Sequence, residues 1–388
     1  MTARLFFALL FIGVSSFGQT DSTLVSKKPD PFLALEMEKK QAKDQKSVKT
    51  NFEHWSYSQK THAVVGYLGS IGQGGFSEGK STGTWHYDIG ALYQGKWVKT
   101  KNYKLNFHAW VEHSNLVAGS DPKKFVKDLE MFTVPNASDT EKAGFSLEYL
   151  HFENFFFDGF LDVTVGKLEP TFYITYTPYS AWDKLTLFSK TTSSDPVPDM
   201  EGAFGFYTEL NFTDNFSIGA QVLDDNPRNE YFDPGNFFGN TTYNYQAFIR
   251  WAVPTQKKRY SYHIVNFYTY PESGDKKSGS GWLYVGNQAV SDRVILTLKL
   301  SNGTGRILKY NGAYTGGFIY LNPFNRSGDQ AGAALVVNEL AGDFEYGIDS
   351  YYKFFIRDWV TTAISVQGYY TRSDRIALIP GVRFMMTY

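Results

Sequence analysis

The final fourteen residues, Arg375 to Tyr388, read RIALIPGVRFMMTY and alternate like an extended chain. Ile376, Leu378, Pro380, Val382, Phe384, Met386 and Tyr388 share one side. Arg375, Ala377, Gly381, Arg383 and Thr387 share the other, with Ile379 and Met385 as apolar exceptions. A closed β-barrel needs such a terminal strand, because its last strand must pair with its first. The expectation is a chain that ends on a closing strand, with Tyr388 as the assembly signal at the periplasmic edge, read by the barrel assembly machinery.

The same periodicity recurs upstream. In TWHYDIGALYQGKW (84–97), Trp85, Tyr87, Ile89, Ala91, Tyr93 and Trp97 oppose His86, Asp88, Gln94 and Lys96, with Leu92 as an exception. In YKLNFHAWVE (103–112), Leu105, Phe107, Ala109 and Val111 alternate with Asn106, His108, Trp110 and Glu112. Comparable segments lie at 143–152, 156–168, 202–212, 216–223, 242–252, 259–269, 281–289, 293–301, 313–321, 331–339, 344–355 and 360–370. With 62–69 and 375–388 they make about sixteen strands, most near the ~10 residues that cross a bilayer at a tilt. The expected fold is therefore all-β, a transmembrane antiparallel β-barrel with short periplasmic turns and long extracellular loops.

Connection lengths follow that plan. Those at 99–102, 153–155, 213–215, 253–258, 290–292 and 356–359 are short. Those at 70–83, 114–141, 169–201, 224–241, 270–280 and 302–312 are long. The pair 322–330 and 340–343 reverses the order, so either a strand there is miscounted or 322–330 folds inward. Aromatics near strand ends, such as Tyr243, Trp251, Tyr260 and Tyr268, fit interfacial girdles.

Composition supports an apolar exterior around a polar interior. Aromatics are 18% of the chain, with 27 Tyr and 33 Phe, yet the mean hydropathy is negative. A large soluble β-sandwich with an aromatic core should be more apolar on average. A net charge of -1 argues against a nucleic-acid partner. With no cysteine there is neither a disulfide framework nor a thiolate metal site. Arg4, the apolar run Leu5 to Val14 and the small residues Ser15, Ser16 and Gly18 read as a signal peptide over 1–18. No other stretch approaches the ~20 apolar residues of a spanning helix. Residues 19–60 read as a charged, Lys-rich periplasmic extension with a short helix over 33–46, and 61–388 as the barrel.

No catalytic, cofactor or metal motif stands out. The histidines lack ligand spacing, and neither a G-x-S-x-G elbow nor a phosphate loop is present. His151, placed on the apolar face, would support only a barrel hydrolase acting at the outer wall. The lumen faces carry more information. Apolar parity outward leaves Glu112, Glu148, Asp158, Asp162, Glu209, Arg250, Arg293, Lys299, Glu345, Asp349, Lys353 and Arg383 inward. Asn106, Asn244, Gln246 and Gln367 join them, with the aromatics Trp110, Tyr207, Phe248, Tyr351 and Tyr369. Carboxylates and Arg hydrogen-bond sugar hydroxyls, and aromatic faces pack on sugar rings. An anion pore would instead show a ladder of Lys and Arg. A neutral polyhydroxylated solute fits better.

The C-terminal half resembles the OprB-type carbohydrate-selective porin family. The resemblance rests on GWLYVGNQAVSDRVILTLKLSNG (281–303), on GGFIYLNPFNRSGDQAGAALVV (316–337) and on the run from Phe344 to Tyr388, with a looser match over 202–226. It implies a sixteen-stranded outer-membrane barrel admitting sugars, with Arg326 and Asp329 at the family's turn positions and Arg383 on the closing strand. The family's Ile-Pro-Gly-Arg-Pro run is replaced by Asn322, Pro323, Phe324, Asn325 and Arg326. The expected function is passive diffusion of small hydrophilic solutes, carbohydrates first, through the outer membrane of a Gram-negative bacterium. The alternative is a non-conducting barrel that binds or adheres through loops 114–141 and 169–201. Expected partners are outer-membrane lipid, the solutes themselves and, as one assembly state, further copies of the chain.

Overall fold

The computed structural model describes residues 57–58, 62–133, 143–169, 202–213, 215–225, 234–239, 242–254, 260–272, 278–304, 311–357, 359–371 and 373–387. The signal peptide, nearly all of the charged extension, most of the 169–201 loop and Tyr388 lie outside the described residues. The short strand β1 (Tyr57–Ser58) lies against the start of β2 (His62–Ser77). Then come β3 (Lys80–Lys99), β4 (Tyr103–Gly119), β5 (Gly144–Phe156), β6 (Leu161–Leu168), β7 (Ala203–Thr213), β8 (Phe216–Asp224) and β9 (Tyr243–Pro254). The second half comprises β10 (Tyr260–Tyr270), β11 (Gly279–Ala289), β12 (Val294–Thr304), β13 (Gly312–Leu321), β14 (Gln330–Leu340), β15 (Asp343–Arg357), β16 (Val360–Tyr370) and β17 (Ile376–Thr387). Each pairs antiparallel with its sequence neighbours, and β17 closes on β2. Among the described residues this is a closed barrel of sixteen full strands, β2 to β17.

The barrel is apolar outside and polar within. Along β17, Ile376 is 68% exposed and the next residue, Ala377, is fully buried. Leu378, Pro380 and Val382 are exposed, while Ile379, Arg383 and Met385 are buried. In a single closed sheet the buried parity faces the lumen. The apolar exceptions of the sequence pattern therefore mark apolar places on the inner wall. Met385 and Leu92 pack there with Val65, Tyr67, Trp110 and Tyr149. The closing ladder pairs Gly381–Thr387 with Tyr67–Gln73, skips Ile379 and Pro380, and resumes at Leu378 opposite Phe76. Proline has no N–H to give a ladder.

Four sequence expectations are corrected. Residues 70–83 are not a long loop: β2 and β3 run on to a two-residue turn at 78–79. Residues 156–168 are not one strand, since a turn at 157–160 separates β5 from β6 and leaves Asp158 exposed outside the lumen, with a positive φ. Opposite Trp110 and Val111, β5 offers Tyr149 and Leu147, so Glu148 is the extra residue of a bulge. The bulge reverses the parity beyond it and turns His151 inward, stacked on His108 with ring centroids 4.9 Å apart. The outer-wall placement that a barrel hydrolase requires does not exist. Tyr268 is buried in the inner wall beside Leu283 and Val285 rather than in a girdle, whereas Trp251 stacks on His263 at 5.1 Å. The reversed loop pair is real and involves no miscount. Residues 322–329 form a compact turn around a single 3-10 turn, Pro323–Asn325, and 341–342 is a tight turn on the opposite rim.

Candidate functional site

The site is the lumen and the segment that folds across it. After β4, Asp121 accepts a hydrogen bond from the Lys124 amide at 2.9 Å, and Pro122 occupies the first turn, so helix α1 (Pro122–Asp128) starts with a side-chain cap and a proline that needs no donor. Phe125 of the helix and Leu129 just after it are buried, with Met131, against Val336, Tyr369, Ala377 and Ile379. The segment thus crosses the inner faces of β3, β2, β17 and β16. It ends at β15 and β14, where Glu345 accepts the amides of Phe132 and Thr133 at 3.0 and 2.8 Å and Asn338 donates to the Thr133 hydroxyl.

Gly75 makes this approach feasible. A Cβ there would lie 2.6 Å from Leu129 Cδ1 and 2.9 Å from Phe125 Cζ, so only glycine leaves room for the helix. Two ion pairs tie the segment to the wall, Glu130 with Lys80 at 2.5 Å and with Arg375 at 3.1 Å, and a third, Asp128 with Lys124 at 2.9 Å, lies within the segment. The magnitudes rank these terms. Burying Phe125 and Leu129 contributes about 1.5–3 kcal/mol each, while ion pairs open to solvent contribute far less. Apolar packing seats the segment; the ion pairs trim its edge.

The Lys80 ammonium, hydrogen-bonded to Glu130, holds that carboxyl below its usual pKa, and hydrogen bonding from Lys124 does the same for Asp128. Such contacts are complete above the ordinary carboxylate pKa and disappear as pH falls through the lowered folded value. Acidification below about pH 4 should therefore loosen the segment without expelling it. The chain has no cysteine, so a nitroxide on the single substitution Lys127→Cys reports this cleanly. Its spectrum should stay immobile from neutral pH to pH 5 and sharpen below pH 4. Glu130→Gln should show the sharpened spectrum already at pH 7.

The remaining sequence candidates divide into three groups. On the wall of β3–β5, Trp110 Nε1 donates to the Tyr67 hydroxyl at 2.8 Å, and that hydroxyl donates to Glu112. Ser114 lies 2.8 Å from Asp88 and 3.0 Å from Glu112, and Ser146 donates to Glu148. Farther round, Glu209 and Arg250 pair at 2.8 Å with side chains 0% and 6% exposed. Tyr207 donates to Glu209, its ring stacks on Phe248, and the guanidinium of Arg250 lies 5.1 Å over the Phe248 ring. Asp162, Lys299, Asp349, Lys353 and Arg383 are buried on the inner parity of their strands. Arg383 stands opposite Ile71 at the closing seam.

The third group is not in the lumen. Arg293 is exposed in the turn between β11 and β12, where it donates to Asn325 Oδ1 at 2.9 Å. Arg326 is 53% exposed and pairs with Asp329 at 3.1 Å. Asp329 also accepts the Tyr352 hydroxyl at 2.7 Å. These three belong to the short-turn rim because strands β11 to β14 end there. Glu345 is in the lumen, with its carboxylate engaged by two backbone amides.

What sequence reasoning missed was α1. Its signals are present: Asp121-Pro122 marks a helix start, and Phe125 and Leu129 stand four apart. No protein-family model and no curated protein matches the chain. Among solved structures, it is similar to Pseudomonas putida OprB at high pH, with a TM-score of 0.69 and 14% identity, covering 85% of this chain and 94% of that one. The low-pH structure of the same protein gives a TM-score of 0.53 at 13% identity, with 85% and 93% covered. A mutant of Rh. blastica porin gives 0.51 at 12% identity, with 84% and 100% covered. The chain shares the barrel fold of these porins.

Proposed function

We propose that the chain is an outer-membrane porin through which small hydrophilic solutes, carbohydrates foremost, diffuse passively. The observation that carries this reading is the inverted barrel, sixteen strands with apolar residues outside and a charged, aromatic-lined interior narrowed, among the described residues, by the inward segment after β4. Barrels of this strand number leave an aqueous channel. The likeness to OprB supports the same reading, as does the resemblance in the C-terminal half. The lumen wall of β3–β5, with the partly accessible Glu112 and Glu148, is the proposed solute contact.

In a planar bilayer the purified protein should conduct ions in discrete steps, and added maltose or glucose should reduce that current in a saturable way. A pure, folded barrel that carries no current would end the porin reading. Current unaffected by any sugar would remove the carbohydrate part alone.

A further inference from the structure

Two turns on this rim hold an aromatic residue in left-handed backbone, that at 157–160, with Phe157 at φ 54°, and that between β13 and β14. Asn322, Phe324 and Asn325 all have left-handed backbone, with φ of 53°, 55° and 57°. For an aromatic residue this conformation is unfavourable, because Cβ crowds the following carbonyl oxygen. Strain of this kind persists only where surrounding contacts impose it. Here they are visible: Asp329 is buried and grips both Arg326 and Tyr352, Asn322 accepts the Gly328 amide at 2.9 Å, and Arg293 reaches across from the neighbouring turn to Asn325. The result is that Phe324 stands 84% exposed, the most exposed large apolar side chain among the described residues.

Its surroundings say what it meets. The Phe324 ring lies edge-on to Tyr352, 6.1 Å away, and Tyr352 stacks on Phe354, both on the outward parity of β15. Phe324 thus continues the apolar outer wall past the strand ends. The same turn carries two guanidiniums, that of Arg293 on Asn325 and that of Arg326, half-exposed beside Asp329. Other turns on this rim also project aromatics, with Phe157 69% and Phe160 44% exposed. An aromatic wedge continuous with the lipid-facing wall and bordered by arginines matches the boundary between acyl chains and anionic headgroups.

We propose that the 322–329 turn, with Arg293, is a binding site for an anionic phospholipid of the periplasmic leaflet, with Phe324 among the acyl chains and Arg293 and Arg326 on the headgroup phosphate. The proposal rests on the outer-membrane reading above. The full-length protein is reconstituted in nanodiscs of equal parts phosphatidylglycerol and phosphatidylcholine, extracted gently, and its retained lipid measured by native mass spectrometry.

The wild type should keep phosphatidylglycerol in preference to phosphatidylcholine. The Arg293→Gln/Arg326→Gln double variant should lose that preference by roughly fivefold for each arginine. The double lysine variant should retain it, because the attraction is one of charge. Phe324→Ser should lower retention of both lipids. Equal retention by the wild type, or an unchanged preference in the double glutamine variant, overturns the proposal. So does a co-purifying protein or second copy that masks the turn while no lipid is kept. A barrel that conducts yet shows no headgroup preference sinks the lipid site and leaves the porin standing. A protein that never enters the disc sinks both.

Discussion

Replacing residues 122–133 with a short glycine linker is expected to raise the single-channel conductance of the reconstituted barrel roughly twofold or more. Sixteen tilted strands at ~4.8 Å spacing enclose a backbone radius of roughly 16 Å. Inward side chains take several ångströms from that, and a helix about 10 Å across lying on β2, β16 and β17 takes a large share of the rest. Sugars too large for the intact protein should then pass in a liposome-swelling series. Gly75→Leu tests the same point without a deletion, since its side chain must displace Leu129 and Phe125. It should give an intermediate conductance. A deletion variant that folds and conducts like the wild type would show that the segment does not set the pore's width.

The second large effect concerns stability. Arg250→Ala should destabilise the barrel by about 3–5 kcal/mol, because it leaves the Glu209 carboxylate buried without its guanidinium partner. Tyr207 and Ser217 would still donate to that carboxylate, but neutral hydrogen bonds do not replace a full charge. The double variant Glu209→Gln/Arg250→Met removes both charges at similar volume and should lie within about 1–2 kcal/mol of the wild type. Urea unfolding in lipid vesicles, followed by the gel-mobility difference between folded and unfolded barrel, measures both. Equal losses in the single and double variants would mean that the pair is solvated by the lumen and does not act as a buried pair.

The strands were legible because period-two alternation survives on every wall, and the faces were assigned correctly at Trp110, Tyr207, Glu209, Arg250, Phe248, Tyr351 and Tyr369. Each failure has a physical cause. Gly72, Gly74, Gly75, Gly79 and Gly83 suggested a loop, although at Gly75 the missing side chain serves a helix packed on the wall. The bulge at Glu148 inserts one residue, and parity counted across it is inverted, which placed His151 on the wrong face. Arg293 and Arg326 carry the charges expected of a pore but lie beyond the strand ends, where alternation gives no direction. Tertiary crossing explains the rest. Nothing local tells that Glu345 would receive amides from a segment some 200 residues earlier.

Pro380 divides the closing ladder into a seven-residue zipper and a single outlying pair, Leu378 with Phe76. The two strands it joins come from opposite ends of the barrel sequence, so their meeting bears the largest loop-closure entropy of any pairing in the sheet. Closure is therefore expected late in assembly, and the run from Gly381 to Thr387 offers it the longest unbroken set of pairs. The gap at Ile379–Pro380 lies under Phe125 and Leu129, so the segment that narrows the channel also covers the break in the closing ladder. Whatever lifts the helix off the wall therefore also uncovers the seam where the two ends of the barrel sequence meet.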